Sequence, residues 1–297
     1  MTINYITKDG HVYDQRLVQD AVTSDLETTG VKLLDGGQSF TLTTIETSGY
    51  KNHTRNKGFN SGTYENRKKV YTMTQDRDIE FYVDTMDVEE TGQDLAVARI
   101  SNTFITEQAT PEVDAYRLST LATKAITNGN SKEEALTVEN VYSRLKAELL
   151  PVRKYGASNI IVYVSSETMD LLERSKEFTR NITNQNVGQT ALESRITSLD
   201  GVVLKEVWDA DRFWTAFDFT DGFAPAAAAK EINFLIVVKP AQISVVKHRA
   251  IFLFAPGTHT QGDGYLYQNR LYHDTFLKEE QKEGVRVSIK ADAEPEV

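Results

Sequence analysis

Hydrophobic and polar positions follow different patterns in successive stretches of this chain, and each pattern predicts different elements. Residues 1–39 are polar and only weakly periodic, which predicts an extended arm rather than a packed unit. A short surface helix within residues 12–26 is the alternative interpretation.

Residues 40–84 predict two strands joined by a long polar connection. The first strand is rich in β-branched residues. The second, over 69–84, carries Ile79, Phe81 and Val83 in alternation with polar neighbours, the period-two signature of a half-buried strand. The connection contains three glycines and is too long for a tight turn. We therefore predict a long β-hairpin that projects from the body.

Residues 85–127 predict one long helix. Asp87 is a suitable N-cap, and Glu90 stands three residues later in the capping-box position. Pro111 is expected to break or kink this helix because proline lacks the backbone N–H donor. The Asn-Gly pair at 128–129 predicts its end.

Residues 128–249 alternate helical and strand patterns, which predicts an α/β unit. Thr137 and Ser166 are the expected helix N-caps. Two short apolar runs, at 159–164 and 232–238, predict buried strands. Each run is much too short to span a bilayer, and we expect no membrane association.

The last part of the chain, residues 250–297, carries three short strand patterns separated by turns. Such spacing predicts an antiparallel meander. Strands, a long helix and an α/β unit thus fall in separate parts of the sequence. The predicted fold class is α+β.

Composition narrows the functional classes. The 297 residues carry a net charge of −10, which argues against a protein that wraps duplex DNA. The sequence has no cysteine, so disulfides and thiolate metal sites are excluded. The first residues lack a basic region followed by an apolar run, and we expect no signal peptide.

No motif with a catalytic mechanism is present, neither a phosphate-binding glycine loop nor a nucleophile elbow. A metal cluster could be drawn from His259, Asp263, His273 and Asp274, but its spacing matches no known ligand pattern. We therefore predict no enzyme activity, no cofactor and no metal.

Charge is segregated around the predicted hairpin. Between residues 49 and 69 there are six basic residues and one acid, so this stretch is net +5 on an acidic chain. The basic residues are Lys51, Arg55, Lys57, Arg67, Lys68 and Lys69. An acidic cluster follows, formed by Asp84, Asp87, Glu89, Glu90 and Asp94. Because complementary charges set register and partner choice, the hairpin of one copy is predicted to lie on the acidic cluster of another.

Two other interpretations of the basic stretch stay open. It could be a solvated loop whose charges contact nothing, as is usual for an isolated run of charged residues. It could also contact the phosphates of DNA directly.

The order of these elements, and several segments themselves, resemble the tailed-bacteriophage major capsid proteins with the Hong Kong 97-type fold. The resemblance covers about 200 residues, and each segment alone is weakly specific. The segments that carry it are QDRDIEFYVD, PEVDAYRLSTLA, ALTVENVYSRL, NIIVYVSSETMDLL, SLDGVVLKEV, INFLIVVKPAQISVVKH and YQNRLYHDTFL.

This resemblance implies a division of the chain and a function. Residues 1–39 would be the N-terminal arm and 40–84 the E-loop, which lies over a neighbouring subunit. Residues 85–127 and 250–297 would form the peripheral domain with its spine helix, and 128–249 the axial domain. Such subunits assemble into hexamers and pentamers that close into an icosahedral shell around packaged double-stranded DNA.

The resemblance also sets expectations about partners. Many relatives carry a long N-terminal scaffolding segment, whereas the arm here is expected to start at Met1. A separate scaffolding protein and a portal are therefore expected, with assembly in the host bacterial cytoplasm and residence in the virion. Some relatives join subunits through a Lys–Asn bond, but none of the hairpin lysines is singled out, and we expect no covalent crosslink.

Two alternatives to a phage shell remain. One is the shell of an encapsulin-like bacterial compartment, which a cargo-binding pocket would favour. The other is a soluble oligomeric α/β enzyme, which a concave pocket holding paired carboxylates or a metal would favour.

Overall fold

The computed structural model describes residues 18–28, 38–56, 58–90, 97–175 and 198–291, apart from the side chains of 88–90 and 97. The strands are β1 (Ser39–Thr47), β2 (Tyr64–Thr72), β3 (Gln75–Val83), β4 (Ser131–Glu134), β5 (Ile160–Ser165), β6 (Ser198–Leu199), β7 (Val202–Val207), β8 (Phe217–Asp218), β9 (Ala224–Pro225), β10 (Ile232–Val238), β11 (Gln242–Phe254), β12 (Tyr265–Leu277) and β13 (Val285–Lys290). The helices are α1 (Thr85–Glu90), α2 (Val97–Phe104), α3 (Thr110–Thr127), α4 (Val141–Leu149) and α5 (Ser166–Arg174).

A mixed six-stranded sheet forms the largest layer, in the order β4-β13-β10-β5-β7-β6. Every residue of its strand β10 is buried, because helices cover both faces. On one face α4 and α5 pack against Phe234 and Ile236. On the other, α3 packs against Leu235 and Val237. The two apolar runs predicted to be buried strands are confirmed as β5 and β10, and the uninterrupted apolar sequence of β10 follows from its two covered faces.

A second sheet has three antiparallel strands in the order β11-β12-β3. Its inner face packs on α2, where Phe81 and Tyr267 stack with ring centroids 6.0 Å apart and Phe104 meets Phe81 edge-on. Ile100 and Val83 complete this small apolar cluster. The alternation of Ile79, Phe81 and Val83 predicted a half-buried strand, and β3 has that character.

Strands β1 and β2 form a separate two-stranded hairpin, paired from Ser39 with Thr72 to Thr47 with Tyr64. Only its base is buried. There Phe40 stacks on Tyr71 at 5.5 Å, and both pack against Ile243 and Tyr272. The burial pattern along the rest of the hairpin is dominated by exposed residues.

The predicted second hairpin strand over 69–84 is wrong as a single element, because it is two strands in two sheets. Met73 is 2% exposed and packs at the hairpin base. The backbone N–H of Thr74 donates to Asp274 at 2.8 Å. These two contacts turn the chain from β2 into β3, so the hairpin ends at residue 72 rather than 84.

The helix predicted over 85–127 is described in two parts, residues 85–90 and 97–127, and residues 91–96 between them lie outside the described residues. α1 begins at Thr85, two residues before the expected cap Asp87, because the Asp84 carboxylate accepts from the Met86 N–H at 2.8 Å. Helical structure then runs from residue 97 to 127 through a π-helical turn at Ile105–Ala109. Pro111 does not break it, because proline at the start of α3 lies where the helix changes type.

The predicted helix starts inside the α/β unit are also displaced. α4 begins at Val141, after Asn140, rather than after Thr137. α5 is capped by Ser165, whose Oγ accepts from the Thr168 N–H at 3.2 Å, rather than by Ser166. The predicted end of the long helix is confirmed: Gly129 has φ +72°.

The predicted meander over 250–297 is wrong. β11 and β12 form a long hairpin, but β13 leaves them and lies between β10 and β4 in the six-stranded sheet. Val285 and Val287 are fully buried there, against Leu118 and Leu121 of α3. The closing strand therefore belongs with the unit expected over 128–249, and β11 itself crosses that boundary at residue 250.

Residues 18–28 of the predicted arm lie against the body. Leu26 is 1% exposed, and Glu27 forms a parallel bridge with Ser244 of β11. The helix considered over 12–26 is not present in residues 18–23, and a short 3-10 turn at Ser24–Leu26 follows them. The part of that prediction before residue 18 lies outside the described residues.

Candidate inter-subunit surface

The hairpin presents one face that the described part of its own chain leaves exposed. Residues opposite each other in an antiparallel pair share a face. Thr43 and Lys68 are one such pair, and the same face carries Ile45, Tyr64 and Val70. These three are 66%, 82% and 60% exposed. A two-stranded ribbon is at best marginally stable alone, and this one has apolar side chains in solvent.

The predicted basic residues occupy two distinct places on the hairpin. Lys51 and Arg55 lie in the exposed connection between the strands, where the Lys51 ammonium donates to the Ser61 carbonyl at 2.8 Å. Arg67, Lys68 and Lys69 lie on β2 itself. Lys57 lies outside the described residues.

Two of the β2 cations are already paired within the chain. Arg67 contacts Glu65 at 3.0 Å and Glu46 at 3.3 Å. Lys69 contacts Glu279 at 2.5 Å, just beyond the end of β12. Hydrogen bonding to Lys69 lowers the pKa of the Glu279 carboxyl below its usual value. Less of the predicted +5 charge is therefore available to a partner.

The predicted acidic residues are only partly described. Asp84 caps α1, and Asp87 is exposed in its first turn. The Glu89 and Glu90 side chains and all of Asp94 lie outside the described residues. The structure does not bring Asp84 or Asp87 to the hairpin of the same chain, because the nine residues of β3 separate them by about 27 Å.

Sequence patterning did not indicate a row of acidic residues on β3. Asp76, Asp78 and Glu80 are exposed on the face opposite Phe81. The Asp76 carboxylate pairs with Arg270 at 2.6 Å, which lowers the pKa of Asp76. The sequence signal was the alternation of Asp76, Asp78 and Glu80 with Arg77, Ile79 and Phe81, part of which served above only to predict the strand.

The metal cluster considered from the sequence, His259, Asp263, His273 and Asp274, does not form. His273 is buried, at 1% exposure. The neighbouring Asp274 carboxylate accepts hydrogen bonds from the Tyr116 hydroxyl and the Thr74 N–H, each at 2.8 Å. His259 instead lies 2.8 Å from the Gly264 carbonyl. Within the described ranges, no three His, Asp or Glu side chains are grouped so that they could hold a metal ion.

Burial in this region lowers the pKa of His273 to about 3, with nearby Arg117, Arg249 and Arg77 acting in the same direction. His273 is therefore a neutral imidazole at neutral pH. None of the helices that the structure describes has the length and apolar character needed to cross a bilayer.

A buried ionic network fixes residues 18–28 to the body. Asp114 of α3 accepts from the Val22 N–H at 2.8 Å, the Thr23 hydroxyl at 2.6 Å and Arg212 at 3.1 Å. The Arg212 side chain is fully buried, and Asp114 is 1% exposed. Arg117 adds a hydrogen bond to the Thr23 carbonyl at 3.2 Å. Sequence patterning did not indicate this network, because its members are far apart in the chain.

Comparison with solved structures identifies the fold. The chain matches a chain from the mature capsid of bacteriophage PhiM1 with a TM-score of 0.71 and 13% identity, covering 98% of this chain and 93% of that one. It matches the capsid structure of the cyanophage P-SCSP1u with a TM-score of 0.67 and 10% identity, over 98% and 94%. For Gordonia phage Cozz the TM-score is 0.65 and the identity 13%, over 98% and 92%.

No protein-family model and no curated protein sequence matches the chain. The likeness at these identities is one of fold, and it extends over nearly the whole chain. The protein has the α+β fold of phage capsid chains, as the sequence predicted.

Proposed function

We propose that the protein is the major capsid protein of a tailed bacteriophage, a structural subunit that self-assembles into the icosahedral head shell. The observation that carries this proposal is the fold match to phage capsid chains over 98% of the sequence. The exposed hairpin supports it, because a ribbon with apolar side chains in solvent is explained by a second copy that covers it.

The finer assignments follow from the same proposal. Residues 1–39 act as the N-terminal arm, and the hairpin β1–β2 with its connection acts as the E-loop. Residues 85–127 with most of 250–297 form the peripheral domain, and 128–249 with β13 form the axial domain. Copies assemble as hexamers and pentamers in the host bacterial cytoplasm, with a separate scaffolding protein and a portal, and the finished shell encloses double-stranded DNA.

The contact between copies joins opposite ends of the molecule. The hairpin leaves the body where β3 begins and β12 ends, since Lys69 meets Glu279 there. Asp84 and Asp87 lie at the other end of β3. We propose that Lys51, Arg55 and Lys68 of one copy approach this acidic end of a neighbour.

The experiment is electron microscopy of the purified full chain in negative stain, with light scattering to measure mass. Closed shells, or the hexamers and pentamers that build them, are the expected result. Particles that stay smaller than pentamers at high concentration would overturn the proposal and favour the soluble oligomeric α/β enzyme. Shells that retain a cargo protein rather than DNA would favour the encapsulin-like compartment.

A charge-reversal variant tests the proposed contact between the hairpin cations and the acidic end of a neighbouring copy. Lys51→Glu, Arg55→Glu and Lys68→Glu together should impair assembly and leave the monomer folded, because these side chains have no carboxylate partner among the described residues. Lys124→Glu on α3, an exposed reversal of a single charge, is the control. Shells of the triple variant that form as well as those of the control would exclude a role for these charges.

A further inference from the structure

The free edges of the described strands differ in how they are protected against pairing. Edge strands of stable proteins are usually short, charged or covered, since an open edge pairs with other chains. β3 carries four charged residues among nine, and β2 also carries four. β4 has four residues, three of them charged, and β6 has only two residues. These edges follow the rule.

Two edges do not follow it. β1, with the sequence SFTLTTIET, has nine residues and a single charge, Glu46. The last five residues of β11, AIFLF, have no charge at all. Ile251, Phe252 and Leu253 are consecutive there and 51%, 52% and 61% exposed. Because successive strand residues point to opposite faces, this end of β11 is apolar and open on both sides.

The first part of the β11 edge is covered within the chain. The Thr28 N–H donates to the Ser244 carbonyl at 2.8 Å, and Glu27 bridges Ser244 in parallel. Among the described residues, this pairing does not continue along β11 to residues 250–254. Within the described part of the chain, β11 thus has a covered first half and an uncovered second half, and the exposed apolar residues are concentrated in the second half.

β1 cannot reach this open half in its own molecule. The hairpin base packs on Ile243 and Tyr272, at the end of the sheet where β11 begins. The open residues of β11 lie at the opposite end, where Phe254 pairs with Leu266. Surfaces at opposite ends of a molecule meet only between copies, in a head-to-tail arrangement that closes into rings or continues as a lattice.

We propose that the outer edge of β1 in one copy pairs with the open edge of β11, residues 250–254, in a second copy. This rests on the proposed function and names the strands that meet. With Glu46 opposite the exposed Arg249, only the antiparallel order places β1 along residues 250–254, and Thr43 then lies opposite Phe252. Glu46 also contacts Arg67 within its own chain.

The chain has no cysteine, so single introduced thiols report proximity without background. Thr43→Cys and Phe252→Cys proteins are prepared separately, mixed, assembled and treated with a short bis-maleimide. The matched control replaces Thr43→Cys by Asn66→Cys, because Asn66 lies on β2 and shares the face of Thr43 on the hairpin. The pair of Thr43→Cys with Phe252→Cys should give about tenfold more covalent dimer than the control pair, since thiols held opposite each other react at a high effective concentration.

The outcomes separate this inference from the proposed function. Shells that form normally but give no excess of dimer over the control overturn the strand pairing and leave the shell proposal intact. Dimer from Phe252→Cys protein alone shows two β11 edges meeting each other, which also overturns it. Material that neither assembles nor cross-links overturns both.

A variant without thiols provides a second measurement. Phe252→Lys places a charge on the open edge at an exposed position, so the monomer should fold, as circular dichroism can verify. Shell yield should fall about tenfold, because charged edge residues block strand addition. The control is Leu150→Lys. Leu150 is 67% exposed and lies directly after α4, which covers the six-stranded sheet. Equal shell yields from the two variants would contradict the proposal.

Discussion

Strand β10 and the hairpin β1–β2 differ in how much of their apolar surface the chain itself buries. β10 is apolar at all seven positions except Asn233, and every one of them is buried inside one chain. The hairpin has only its base buried, and its exposed face carries Ile45, Tyr64 and Val70. One sheet is thus complete in the monomer, whereas the hairpin exposes apolar side chains that, on the proposed function, a neighbouring copy covers. Substitutions should therefore separate stability from assembly.

The largest effect is expected in the six-stranded sheet. Phe234→Ala should lower the free energy of unfolding by about 3–5 kcal/mol, because it removes a buried aromatic ring and leaves a cavity. Urea denaturation of dilute monomer measures this. Phe252→Ala is the matched control, since Phe252 is 52% exposed and should change unfolding by less than about 1 kcal/mol. Similar losses of unfolding free energy in the two variants would contradict the difference in burial between the six-stranded sheet and the open edge of β11.

A slightly smaller loss is expected where residues 18–28 join the body. Arg212→Met should cost about 3 kcal/mol, because Asp114 would keep its buried charge without the guanidinium. Urea denaturation and the rate of limited proteolysis near residue 20 measure it. Arg174→Met removes an exposed pair with Asp170 and should change stability by less than about 0.5 kcal/mol. Unchanged proteolysis of the Arg212 variant would show that the network does not hold this segment.

Acid should weaken the three-stranded sheet through His273. The folded pKa is about 3, below the ordinary value of 6.5. Between these values the unfolded chain binds the additional proton, so the stabilising contribution is complete above pH 6.5 and is lost as pH falls toward 3. The slope from this group approaches about 1.4 kcal/mol per pH unit.

The measurement is urea denaturation at pH 7, 6, 5 and 4, compared with His273→Gln. The variant should lose stability less steeply with acid, whatever its stability at pH 7. His53→Gln, in the exposed hairpin connection, should keep the slope of the unmodified protein. Parallel pH profiles for the protein and its His273 variant would exclude this residue as the source.

The smallest effect on stability is expected on the hairpin. Ile45→Ser with Val70→Ser should change the free energy of unfolding by less than about 0.5 kcal/mol, because both side chains are mostly in solvent. Shell yield in electron micrographs should nevertheless decrease. A stable variant that assembles normally would show that this face stays exposed in the shell.

The corrections to the predicted elements have physical causes that a linear pattern does not contain. The sequence over 69–84 is continuously strand-like, and only Met73 and the Asp274 contact divide it between two sheets. Strand β13 has an ordinary alternating pattern, and the cover supplied by α3 decides that it joins β10. The candidate surface was found through charge, but local patterns could not show that Arg67 and Lys69 are neutralised by partners in the chain.

By itself, the sequence determined the buried strands β5 and β10, the end of the long helix at Asn128 and the α+β class. These follow from local periodicity and composition, which depend on neighbours in the chain. Only the tertiary structure decided which strand edges are covered and which acids meet which bases. Those contacts join residues up to about 200 positions apart, as Lys69 joins Glu279, so they depend on how the elements pack rather than on any local pattern.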